Sequence, residues 1–110
     1  MTLDDLVAFG ANVDEGLARC MNNESFYLRL VGTAKEDKGF ETLAAAIAEG
    51  NLDSAFEAAH SLKGVFGNLA ITPLYEPISE LTELLRAKEE ADYATLVDAI
   101  LRTRDEFIAL

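Results

Sequence analysis

The chain has 110 residues, half of them hydrophobic, which is enough for one core and one domain spanning 1–110. Its formal net charge of −11, from 20 acidic against 9 basic residues, argues against nucleic acid and anionic membrane as partners, because both require a positive footprint. The one cysteine, Cys20, excludes an intrachain disulfide and fits a reducing cytoplasm, where it is expected as a buried or half-buried structural thiol.

Nothing in the chain reads as a strand, and helical periodicity is nearly continuous. The N-terminal stretch carries Asp4, Asp5, Asp14 and Glu15 with no long apolar run, so neither a signal peptide nor a membrane span is expected. A short helix near 3–9 precedes one near 13–20 that Asn12 can cap. Asn23 can cap the next, with Tyr27, Leu30, Val31 and Ala34 at helical spacing. Asp37-Lys38-Gly39 reads as a break or kink, and Phe40, Leu43, Ala44 and Ile47 form the following apolar stripe, stopped by Gly50. Asn51 caps a long helix over 51–69. Thr72 and Pro73 are expected as cap and first residue of the next, with Leu74, Ile78, Leu81 and Leu85 facing the core and Pro77 marking a kink or a later start. Asp92 opens a last helix carrying Tyr93, Leu96, Val97, Ile100 and Phe107. The fold class is therefore all-α. Short connections between long helices predict an up-down antiparallel four-helix bundle over 37–110, with additional short N-terminal helices, residues 1–36, packed on it.

His60 is the only histidine in the chain. At roughly 100° per residue, Leu52, Ala55, Phe56, Ala58, Ala59, Leu62, Val65, Phe66 and Leu69 share one half of the helical wheel. His60 lies roughly 130° from the centre of that arc, beside Gly64 and Gly67, so it faces outward. Lys63 sits at the margin of the arc, and Phe66 falls inside it as a core residue. A glycine inside a helix costs about 0.5–1 kcal/mol against alanine, so two of them ask for a reason. Side chains lean towards the helix N-terminus, so a side chain at 64 would lie over His60, and one at 67 over Lys63 and Gly64. Their absence leaves an imidazole on a bare strip with an ammonium three residues away, which suits a histidine approached closely by something large and anionic.

The run Ala59-His60-Ser61-Leu62-Lys63-Gly64, continued by Gly67-Asn68-Leu69, resembles the signature of histidine-containing phosphotransfer (HPt) domains, the helical-bundle intermediates of bacterial two-component phosphorelays. One departure is Ala70, where the family often has glycine; little consequence is expected from it. The resemblance implies a free-standing carrier that accepts a phosphoryl group on His60 and passes it to aspartates of response-regulator receiver domains. It implies Lys63 as the phosphate-stabilising cation, Gly64 and Gly67 as access and docking positions, and partners among receiver domains or a hybrid histidine kinase. No cofactor is expected on the chain itself, because the acidic pocket and Mg²⁺ would come from the receiver. Asn68 matches the motif but points away from His60 on the wheel, and Ser61 lies towards the far side of the helix, with no role.

An enzyme reading fares badly. A second histidine is missing for a His-rich metal site, so no metal is expected, and neither a phosphate-binding loop nor a Gly-rich nucleotide fingerprint occurs. With no ATP site, His60 is charged by a partner, and the chain is expected to be a monomeric, cytoplasmic carrier and not an autonomous kinase. A phosphoacceptor domain served by a separate kinase of chemotaxis type is a variant of that reading. The alternative from another class is a non-phosphorylated helical adaptor that binds a signalling partner through the same face; Lys63 and Gly64 favour the carrier, since an adaptor needs neither.

Overall fold

Side-chain caps and left-handed stops divide the chain into helices. In the computed structural model, which describes residues 1–110, seven helices follow one another: α1 (Leu3–Phe9), α2 (Val13–Arg19), α3 (Glu24–Ala34), α4 (Gly39–Ala48), α5 (Leu52–Asn68), α6 (Thr72–Ala87) and α7 (Tyr93–Ile108). Asn12, Asn23, Asn51 and Asp92 each accept a hydrogen bond from the backbone N–H three residues on, satisfying a donor that the first turn leaves free. Between α3 and α4 the Asp37 carboxylate accepts from Gly39 N–H at 2.7 Å. Gly50 ends α4 in the left-handed region, with φ of 71°.

The start of α6 differs from the sequence expectation. Ile71 is the cap, and Thr72 and Pro73 are the first two helical residues, with no side-chain cap hydrogen bond. Burial of the Ile71 side chain decides this, since it is fully enclosed in the core while its carbonyl accepts from the N–H groups of Leu74 and Tyr75. The helix thus starts one residue earlier than expected and not after Pro77, which stands inside it.

Helices α4 to α7 close a ring in which α4 packs on α5, α5 on α6, α6 on α7 and α7 back on α4. This is the up-down antiparallel four-helix bundle, and the chain has no strand. Phe66 of α5 lies at its centre, 5.5 Å from Phe40 of α4 and 5.6 Å from Phe107 of α7, the latter edge-on. The N-terminal helices are pinned to one end of the bundle. Phe9 meets Phe107 at 6.0 Å, the N–H of Asn12 donates to the Ala70 carbonyl at 2.9 Å, and Tyr27 Oη donates to the Leu69 carbonyl at 2.9 Å. Gly16 makes room for this, because a Cβ there would sit 2.5 Å from the Tyr27 ring and 2.8 Å from the Leu69 oxygen.

Ala70 has a larger consequence than the sequence suggested. It takes φ of 56° immediately after α5 and forms the left-handed stop: its N–H donates to the Gly67 carbonyl, and Ile71 N–H donates to the Phe66 carbonyl. Glycine is the residue that adopts this conformation without penalty. Alanine carries some strain here, held by core burial of Ile71 and by the Asn12 hydrogen bond. Cys20 is buried and free.

Burial raises the pKa of the Tyr27 phenol above its ordinary value of 10.0, with a further contribution from Cys20. Ionisation is the charged state of a phenol, so the unfolded chain releases this proton at lower pH than the fold does. Stability linked to Tyr27 is therefore complete below the ordinary value and is lost as pH rises from there towards the raised one. Tyr27→Phe should cost about 1–2 kcal/mol at neutral pH through the lost Leu69 hydrogen bond. Thermal melts between pH 8 and 11 should fall less steeply in this variant than in the wild type, and an unchanged alkaline slope would contradict the burial argument.

Candidate functional site

α5 carries its buried residues Ala55, Ala58, Ala59, Leu62 and Phe66 on one face and leaves His60 exposed on the other. Neither imidazole nitrogen has a protein hydrogen-bond partner. The ring lies instead against Phe56, one turn earlier, stacked at a centroid separation of 5.6 Å and an interplanar angle of 19°. The Arg86 guanidinium of α6 sits 5.0 Å from the centroid of the same Phe56 ring. Lys63 is half-buried and reaches Glu83 of α6, with Nζ 3.7 Å from Oε1, and Glu83 also pairs with Arg86 at 3.3 Å. Lys63 and Arg86 are thus joined through one carboxylate.

Space above the glycines is unequal. A Cβ built on Gly64 meets nothing within 4 Å, so the surface beside His60 is open there. At Gly67 a Cβ would lie 2.9 Å from Cε1 of Tyr75 and 3.1 Å from its Cδ1. The bare strip therefore ends before Gly67. That glycine lets the Tyr75 ring of α6 close onto α5, and its carbonyl accepts a hydrogen bond from Arg19 of α2. Opposite effects on stability follow: Gly64→Ala should raise the thermal midpoint through helix propensity, by up to about 1 kcal/mol, whereas Gly67→Ala should lower it by about 1 kcal/mol through overpacking. Two melting curves decide it, and a stabilising Gly67→Ala would mean that the Tyr75 contact carries no cost.

A surface depression brings together His60, Lys63, Gly64, Gly67 and Asn68 of α5, Ala70, Thr72 and Tyr75 beyond it, and Glu15 and Arg19 of α2. Asn68, expected to point away from the histidine, lines this same hollow. It is the last residue of α5, and the depression takes in Ala70 and Thr72 just beyond it. Ser61 is exposed and outside it. Phe56, Tyr75, Glu83, Arg86, Glu15 and Arg19 were not singled out from the sequence for this face. Only Phe56 left a signal there, as the i−4 neighbour of His60 on one helix. The Lys63–Glu83 and Gly67–Tyr75 pairs cross between helices and leave none.

A scan against family models matches the Hpt domain over residues 31–110, which takes in the end of α3 and the whole four-helix ring. The chain belongs to the Hpt domain family. An Hpt domain is a histidine phosphotransfer carrier of phosphorelays, not a kinase, and its kind interacts with response regulators and kinases. Comparisons with curated proteins and with solved structures each gave no significant match. Helices α1 and α2 lie outside the matched residues, and Glu15 and Arg19 of α2 line the hollow from there. No helix is long and apolar enough to cross a membrane.

Proposed function

We propose that His60 is the phosphoacceptor, receiving a phosphoryl group from the aspartyl phosphate of one receiver domain and returning it to the aspartate of another. One observation carries this reading: the family's chemistry needs a histidine, the chain has a single one, and it stands exposed beside the open surface at Gly64. In the forward step the lone pair of an imidazole nitrogen forms a bond to phosphorus. The bond from phosphorus to the aspartate oxygen breaks, and the carboxylate leaves with its electron pair; the other imidazole nitrogen keeps its proton. The return step is the reverse. Such transfer rests on positioning and neutralisation of the phosphoryl oxygens, with little covalent work for the protein. Mg²⁺ would be held by the receiver's acidic pocket and supply charge from that side. The chain acts in this reading as a free-standing monomeric carrier in the cytoplasm.

Lys63 supplies the cation on this side. Its partner Glu83 is more than half exposed, at 57% of its side-chain area, and surface pairs of this kind are weak, so the ammonium is free to turn to a phosphoryl group on His60. Lys63→Ala should slow single-turnover transfer from a phosphorylated receiver by roughly tenfold, leave the receiver's half-saturating concentration nearly unchanged, and leave the thermal midpoint where it is. Lys63→Arg should recover part of the rate, because charge is kept and geometry is not. Equal losses in rate and affinity would make Lys63 a docking residue instead. Binding of receivers with no transfer to the wild type would point to an adaptor.

A further inference from the structure

A phosphoryl acceptor must meet phosphorus in line, and an exposed side chain on a helix surface has several rotamers to choose from. His60 is exposed and neither of its nitrogens is hydrogen-bonded within the protein, so the usual devices for orienting a reactive imidazole are absent. What the ring does have is the Phe56 face, at 5.6 Å and 19°. Phe56 is itself fixed on two sides: it is half-buried against the bundle core, and the Arg86 guanidinium lies 5.0 Å from its ring centroid. Arg86 is in turn tied to Glu83 at 3.3 Å. A ring held by core packing and by α6 thus presents a flat surface to the imidazole one turn later on α5.

We infer that Phe56 is a positioning residue for His60: its ring, backed by Arg86, selects one imidazole rotamer and leaves the nitrogen edge turned to the partner. Stacking suits this role because it covers a face of the imidazole and leaves the in-plane lone pair uncovered. A hydrogen bond would occupy one of the nitrogens. The inference rests on His60 being the phosphoacceptor, and it extends that reading from the nucleophile to the group that aims it.

Phe56→Leu keeps an apolar side chain against the core and removes the flat ring; Phe56→Tyr keeps the ring. Proton NMR gives the direct signature. In the wild type the imidazole ring protons should be shifted upfield by the Phe56 ring current, in Phe56→Leu that shift should vanish, and in Phe56→Tyr it should persist. Single-turnover transfer from a phosphorylated receiver should then fall roughly tenfold in maximal rate for Phe56→Leu, with the half-saturating receiver concentration unchanged, and return towards wild type for Phe56→Tyr. Labelling of His60 by phosphoramidate, a small donor that needs no docking, should be similar in all three proteins. A Phe56→Leu protein that transfers at the wild-type maximal rate, or that loses affinity as much as rate, overturns the positioning role while leaving His60 as acceptor. An absent ring-current shift in the wild type overturns it as well. If the wild type takes no label from any receiver but is labelled by phosphoramidate, the functional reading falls and this one with it.

Discussion

His60→Gln is expected to abolish phosphoryl acceptance and leave the fold intact. Glutamine keeps a polar side chain of similar length but has no nucleophilic ring nitrogen, and no second histidine exists in the chain to take over. The cost to stability is limited to the Phe56 stack, under about 1 kcal/mol, because the ring is exposed and makes no hydrogen bond. Circular dichroism and a thermal melt should therefore match the wild type closely while label from a phosphorylated receiver drops to background. Labelling of His60→Gln at the wild-type level would remove His60 from the mechanism.

Gly64→Gln should produce the second large loss. Beyond the adjoining backbone of α5, no atom lies within 4 Å of the position a Cβ would take at residue 64, so glutamine fits the isolated protein without strain and gains helix propensity worth up to about 1 kcal/mol. Its side chain leans back over His60, where a receiver's aspartate must come within bonding reach. Transfer should fall by about a hundredfold, as displacement of reacting groups by around an ångström allows. Phosphoramidate labelling of His60 should fall far less. A more stable protein that transfers poorly is the expected pairing; normal transfer by Gly64→Gln would mean that the glycine answers to something other than access.

Local hydrogen-bond grammar was legible in the sequence. Asn12, Asn23, Asn51 and Asp92 cap the helices they were expected to cap, because a cap and the backbone N–H that donates to it lie three residues apart in one segment. The arc that buries Phe66 and exposes His60 came from period alone. Thr72 failed as a cap because Ile71 is drawn into the interior and starts the helix one residue earlier. Ala70 was discounted because its left-handed φ is a property of the α5–α6 turn and not of the residue type. At the site, the wheel separated His60 and Gly64 from the core but could not show Tyr75 closing over Gly67 or Glu83 reaching Lys63, since both come from α6. Arg19 and Glu15 were further off still, brought to the hollow by the Phe9, Asn12 and Tyr27 contacts that dock the N-terminal helices and by the Arg19–Gly67 hydrogen bond.

The central claim is a covalent one, and mapping the phosphoryl group tests it most directly. The wild-type protein is incubated with a receiver domain phosphorylated on its aspartate, then separated, treated with acid or alkali, and digested for mass spectrometry. The account predicts a label that survives alkali, is lost in acid, approaches one per chain, and lies on the peptide containing His60. Absence of label across phosphorylated receivers, or an acid-stable label on another residue, would contradict it.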